Sequence, residues 1–233
     1  MDLFQQAFSS RHVVLPVVHV ASLEQALRNT QIARDARADG VFLINHSMSD
    51  EALLDVHDAV ADAHPDWWVG VNCLGMWPDQ VFRAVGPKVD GVWVDNAGID
   101  EGQEEQLLAE SLLAIRDSHA PGCLYFGGVA FKYQRHVDDL EAAARIAAPY
   151  MDVVTSSGPG TGHAAEVEKI RRMREALGET PLAIASGITP ENIEEYLSIA
   201  DCFLVATGIS RSFTELEPQL VMALIDRVRS FEE

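Results

Sequence analysis

The chain reads as a single α/β domain, a closed (β/α)8 TIM barrel, and three observations predict it. Short β-branched runs alternate eight times with longer segments whose apolar residues recur at helical spacing. No long linker interrupts the series. Small, glycine-rich segments follow the last three strand runs, and no G-x-G-x-x-G follows the first, which favours a barrel over an open doubly wound sheet.

The strand runs, in order, are Val13–Val18, Val41–Ile44, Trp68–Val71, Gly91–Val94, Leu124–Val129, Asp152–Thr155, Leu182–Ala185 and Cys202–Ala206. Several open on the same signal, as in Asp39-Gly40-Val41, Asp90-Gly91-Val92, Met151-Asp152-Val153 and Ala200-Asp201-Cys202, which is a weak internal repeat. Between them, Leu23, Ala26, Leu27 and Thr30 share a helical stripe, as do Val167, Ile170, Met173 and Leu177, and again Val221, Leu224, Ile225 and Val228. Thr189 before Pro190 predicts a helix start, with the hydroxyl as cap and proline in the first turn. Residues 1–11 read as a lead-in and 12–233 as the barrel domain.

A chain of 233 residues with 48% apolar content suffices for one large core. Its net charge of −19, from 36 acids against 17 bases, repels nucleic acid and anionic lipid, so neither is expected as a partner. There is no 18-residue apolar run for membrane insertion, and the opening residues lack the basic-then-apolar order of a signal peptide. A cytoplasmic protein is therefore expected, and a homo-oligomer is compatible with the barrel although no interface is legible. Cys73, Cys123 and Cys202 show no C-x-x-C spacing and read as buried reduced thiols.

In a barrel the ends of the strands collect at one mouth. The polar residues there are His19, Asn45, His46, Asn72, Asp95, Asn96, Lys132, Thr155 and Ser157. Asp95 is the candidate general acid or base, since neighbours at a half-buried site can tune its proton affinity. Lys132 is the candidate electrostatic partner, with Schiff-base chemistry as a weaker alternative. His19, Asn45, His46, Asn72, Asn96, Thr155 and Ser157 are assigned to substrate contact.

The three glycine loops supply the phosphate reading. Gly158, Gly160, Thr161 and Gly162 follow strand six, Ser186, Gly187 and Ile188 follow strand seven, and Thr207, Gly208 and Ile209 follow strand eight. Free N–H groups where such loops meet helix starts can surround an anion. Glycines that only turn corners and cap helices are the competing explanation. Arg211 and His163 are adjacent; Trp67, Trp68, Trp77 and Trp93 read by default as core packing, with Trp77 lining the mouth to stack on a planar ligand as the alternative. No metal site is assigned and no cofactor is required; His19, His46 and Asp95 as ligands of a divalent metal are kept as an alternative.

The segment from Asp152 through Gly162, the basic helix at Lys169-Ile170-Arg171, Thr180-Pro181-Leu182, Ser186-Gly187-Ile188-Thr189-Pro190-Glu191-Asn192-Ile193 and Asp201 through Gly208 resembles the C-terminal half of the BtpA/SgcQ family. That resemblance implies a TIM barrel of the ribulose-phosphate-binding type. It departs from the family at Leu15–Ser22, where a Pro-Leu-Pro-Gly-like segment is associated with the family, and at Gly127–Tyr133, so a divergent member is implied. The family's founding association is with assembly of a photosynthetic membrane complex, whereas its barrel implies an enzyme.

The leading expectation is an enzyme that binds a phosphorylated small molecule, a sugar phosphate or a phosphoribosyl or nucleotide-like compound, with isomerase, lyase or ribosyl-transfer chemistry. The alternatives are a non-catalytic BtpA-like assembly or binding protein and a metal-dependent hydrolase.

Overall fold

The computed structural model describes residues 3–232. Eight parallel strands close into one barrel: β1 (Val13–Val20), β2 (Gly40–Asn45), β3 (Trp68–Asn72), β4 (Gly91–Val94), β5 (Leu124–Gly128), β6 (Val153–Ser157), β7 (Leu182–Ala185) and β8 (Cys202–Val205). Each pairs with the next, and β8 returns to β1 with Val13 opposite Cys202. The helices are α1 (Leu3–Ala7), α2 (Leu23–Asp35), α3 (Asp50–Ala63), α4 (Pro78–Ala84), α5 (Leu107–His119), α6 (Leu140–Ala147), α7 (Val167–Leu177) and α8 (Pro218–Glu232).

All eight expected strands form, and two helical expectations are corrected. Thr189 and Pro190 begin no α-helix; the chain makes turns and a short 3-10 segment, Ile193–Glu195. Asn192 accounts for this, because its Oδ1 accepts from the Thr189 N–H at 2.9 Å and its Nδ2 donates to the Gly187 carbonyl at 2.8 Å. Side chain to backbone bonds of this kind compete with the helical ladder. Leu23 is 43% exposed, whereas Ala26 and Thr30 are buried, so the buried stripe of α2 starts one turn later than the spacing implies.

Strand alternation divides the core into two parts. Val14, Val41, Val69, Val92 and Val154 face outward beneath the helices. Val13, Leu15, Val17, Phe42, Trp68, Trp93, Phe126 and Val153 belong to the barrel interior. This interior is unusually aromatic: Phe42 packs edge-on against Trp68, Trp93 and Phe126 with centroids 5.0, 5.8 and 5.1 Å away. A Cβ on Gly70 or Gly91 would collide with the Phe42 or Trp68 rings, so these strand glycines make the room the aromatics occupy. The lead-in contributes as well. Phe4 and Phe8 of the segment containing α1 pack together at 5.2 Å, and Phe8 packs on Trp68 at 5.4 Å. Met1, Asp2 and Glu233 lie outside the described residues.

The internal repeat acquires a physical meaning. Asp39, Asp90, Asp152 and Asp201 precede β2, β4, β6 and β8, and each accepts the backbone N–H of the preceding strand, from Val14 at 2.7 Å, Val69 at 2.8 Å, Tyr125 at 2.8 Å and Leu182 at 2.7 Å. In return each Asp N–H donates to that same residue's carbonyl. Three of the four carboxylates also meet an arginine: Arg229 on Asp39, Arg116 on Asp152 and Arg174 on Asp201. Each odd strand is thus bracketed to the next even strand at the end of the barrel away from the mouth. The three cysteines are free and buried, and burial pushes the Cys73 and Cys123 thiols up to about 12.

Candidate functional site

Inward alternation continues past the apolar layers and brings polar groups to the strand ends. A cavity of about 280 Å³ opens there, lined by His19, His46, Asp95, Lys132, Thr161, Gly162, Ser186 and Thr207 together with apolar Trp93, Leu204 and Phe213. Asp95, just beyond β4, accepts from the Asn72 amide at 3.1 Å. Burial raises its proton affinity above the ordinary carboxylate level, and the Asn72 hydrogen bond, Lys132 and His46 oppose that rise. Lys132, in the loop after β5, donates from Nζ to Ser186 Oγ at 2.7 Å and stands 5.5 Å from the centre of the Phe131 ring. Burial lowers its pKa, with Asp95 pulling the other way.

The histidines form a ring cluster with Phe213. His19 lies 4.8 Å from His46 and 4.2 Å from Phe213, centroid to centroid. Burial, reinforced by His46, lowers the His19 pKa to about 4, so its imidazole is neutral near pH 7. His46 is also lowered, by burial first and Lys132 second. His19 Nδ1, Trp93 Nε1 and Thr155 Oγ1 are buried without a hydrogen-bond partner. His19 and Trp93 line the cavity, while Thr155 lies fully buried on the same face of β6 as interior Val153. Among the described residues no group of three or more His, Cys, Asp or Glu side chains is close enough to hold a metal ion.

The glycine rim is tightly built. A Cβ on Gly208 would overlap the Ile188 carbonyl oxygen, one on Gly187 would overlap the Ala164 backbone, and one on Gly158 would overlap the His163 carbonyl. Gly187 has φ +71°, a conformation glycine adopts without strain. Neighbouring Ser186 has φ +83° and carries the left-handed conformation with a side chain. The N–H groups of Thr189 and Ile209 are consumed by Asn192 Oδ1 and the Ala206 carbonyl. Those of Gly187, Ile188 and Gly208 take no part in these turn bonds.

The family model that matches this chain is the BtpA family, over residues 89–229. The chain belongs to the BtpA family. An uncharacterised protein of Thermococcus kodakarensis, TK2179, is 30% identical over 211 residues, which cover 81% of this chain and 78% of that protein. Among solved structures, phosphoribosyl anthranilate isomerase of Thermus thermophilus superposes with a TM-score of 0.64 at 17% identity, covering 94% of this chain and 99% of the isomerase. The (S)-3-O-geranylgeranylglyceryl phosphate synthase of Thermoplasma acidophilum, solved with sn-glycerol-1-phosphate, superposes at 0.67 and 16% identity, covering 98% and 97%. These likenesses show the barrel fold.

Within this BtpA-family barrel the expected site residues separate into groups. His19, His46, Asp95, Lys132, Thr161, Gly162, Ser186 and Thr207 meet at one cavity. Asn72 reaches it through Asp95. Asn45 is engaged internally: its amide donates to the Met48 carbonyl and Asp50, and its oxygen accepts from Leu74 N–H, so it braces the loops after β2 and β3. Asn96 is exposed and caps its own turn at Gly98. Ser157 accepts from the Lys132 N–H and donates to the Gly158 carbonyl. Gly160 sits near Tyr133, and Ile188 and Ile209 bury their side chains. Arg211 lies beside Glu215 on the surface, and His163 bonds within its own loop to the Thr161 carbonyl.

Sequence reading missed Phe213, Tyr133 and the role of Lys169. Tyr133, with φ +62°, accepts the Thr161 N–H on its hydroxyl and so ties the β5 loop to the β6 loop. Lys169 sends its Nζ to the Ala130 and Ser157 carbonyls at 2.6 and 2.7 Å, and burial lowers its pKa to about 8. The scarcity of lysine, three in the chain, was the available signal for Lys169; none marks Phe213.

Proposed function

We propose that the barrel mouth binds a phosphorylated small molecule and that the protein is an enzyme acting on it. The observation that carries this reading is the close packing of the glycine loops after β6, β7 and β8, which brings main chain rather than side chains to one corner of the mouth. Backbone N–H groups in such a corner suit the oxygens of a phosphate. Lys132 reaches the same corner through Ser186 and supplies a positive charge that a chain of net −19 otherwise opposes. The isomerase and the glycerol-phosphate-bound synthase that share this fold support the reading.

Asp95 takes or delivers the proton, because burial brings its proton affinity closer to neutral pH than that of a free carboxylate. Lys132 stabilises negative charge that develops on a substrate oxygen. Neutral His19 hydrogen-bonds without adding charge. These roles serve an isomerase, a lyase or a ribosyl transferase acting on a sugar phosphate or a phosphoribosyl or nucleotide-like compound.

The test is a thermal-shift screen of sugar phosphates, nucleotides and phosphoribosyl compounds, each beside its dephosphorylated form. One phosphorylated compound should raise the melting temperature with concentration, and its dephosphorylated form should not. Gly208→Val, whose side chain would push Ile188 aside, should abolish that shift. Silence of the unaltered protein toward every phosphorylated compound would remove the phosphate reading.

A further inference from the structure

We infer that the ligand is elongated, with its phosphate at the β7–β8 corner and, at its other end, a flat and largely apolar ring seated beside Trp77. The inference rests on the phosphate reading and extends it to the rest of the molecule. A second groove, of about 510 Å³, lies between the loops that follow β3 and β4. It shares Leu74 and Asp95 with the mouth cavity, so the two are adjacent, with these two side chains on the wall between them. In the closed barrel the β3–β4 pair stands four strands from the β7–β8 pair. Groove and phosphate corner therefore occupy opposite sides of the mouth.

The groove walls mix apolar side chains with Asp79, Asp95 and three amides, and several of the apolar ones are exposed: Trp77 is 74% exposed and Leu108 57%, with Met76 between the same loops. An indole face and a thioether are the surfaces on which planar rings pack well. The backbone of Trp77 is fixed. The Trp77 main-chain N–H donates to Gln80 Oε1 at 2.9 Å, and Pro78 follows it at the start of α4, so little backbone freedom is lost when a ring arrives. The amide side chains of Asn96 and Gln134 border the groove and match the polar edge of a heterocycle.

Between the two ends, His19 and Trp93 line the cavity, each with a buried ring nitrogen that has no partner. Hydroxyl groups on the middle of the ligand pack against these two rings. A phosphorylated sugar bearing a flat ring has this order of parts, and laid across the mouth it carries the sugar-to-ring bond past Asp95.

Calorimetric titration of the full chain with ribose 5-phosphate and with adenosine 5′-monophosphate tests the inference. The nucleotide should bind about tenfold more tightly, the gain expected of one stacked ring. Trp77→Ala should erase that advantage and leave ribose 5-phosphate within about twofold, while Trp77→Phe should keep most of it. Equal affinities in the unaltered protein, or an advantage that survives Trp77→Ala, would overturn the inference and leave the phosphate reading intact. So would a Trp77-dependent self-association, read by sedimentation, that the nucleotide does not displace. Failure of ribose 5-phosphate and the nucleotide alike to bind the unaltered protein would also overturn this inference, and the thermal-shift screen of the remaining phosphorylated compounds would then decide the phosphate reading.

Discussion

Lys132 Nζ donates to Ser186 Oγ across 2.7 Å and so joins the loop after β5 to the end of β7. At this contact Ser186 holds φ +83°, a conformation that costs a residue with a side chain about 1–3 kcal/mol. Ser186→Gly should therefore raise stability by about 1 kcal/mol in urea unfolding while lowering turnover, because Lys132 loses its positioning partner. A variant that loses stability and keeps full turnover would assign the strain no functional purpose. Lys132→Met should abolish the ligand-induced thermal shift with little change in the urea midpoint, since a half-buried ammonium is costly to retain.

Asp95 and Asn72 form a pair whose pH behaviour is separable. The Asn72 hydrogen bond opposes the upward push of burial on Asp95. Asn72→Leu should therefore raise the Asp95 pKa further, and where the deprotonated carboxylate is the working form, the acid limb of the pH–rate profile should move to higher pH. Asp95→Asn should lower turnover by about 100-fold or more with ligand affinity nearly unchanged. Equal loss of affinity and turnover would place Asp95 in binding instead.

His19 should make the protein acid-sensitive. Its pKa falls from 6.5 to about 4 on folding, chiefly through burial. The unfolded chain therefore holds the extra proton between these values, and stability is lost as pH falls from about 6.5 toward 4. Between about pH 7 and about pH 4.5 this amounts to ~2–3 kcal/mol. Urea titrations at the two pH values should show His19→Gln losing less stability than the parent by about that amount. Parallel losses would show that His19 does not control the acid response.

Asp201 is a test of the bracket repeat. Its carboxylate accepts the Leu182 N–H and meets Arg174 at 2.6 Å. Asp201→Ala leaves that N–H without its charged acceptor and should cost about 2–3 kcal/mol in urea unfolding. Asp90→Ala, at another strand pair, should add to it with little coupling, because the brackets share no partners. Strong coupling would mean that the brackets act as one ring rather than as separate clamps.

The strand framework was legible because a strand's signal is local. All eight runs fall on observed strands, with shifts only at their ends: β1 continues to Val20, and β6 begins at Val153 because Asp152 serves as a bracket. The same alternation explains why His19, His46 and Asp95 were recognisable as mouth residues. Asn45 and Asn72 occupy corresponding strand ends, and nothing local separates them. Asn45 is drawn into Asp50 and Leu74 of adjacent loops, whereas Asn72 is left facing Asp95. Phe213 reaches His19 from the far end of the chain.

The sequence by itself determined the eight-stranded alternation, the fourfold Asp repeat and the positions of the three glycine loops, since each depends on a residue's own period or on its immediate neighbours. Only the tertiary structure decided that Lys132 meets Ser186, that Tyr133 holds Thr161 and that the Trp77 groove opens onto Asp95. Those relationships join loops from different βα units, and their geometry is set by closure of the barrel, which no local pattern encodes.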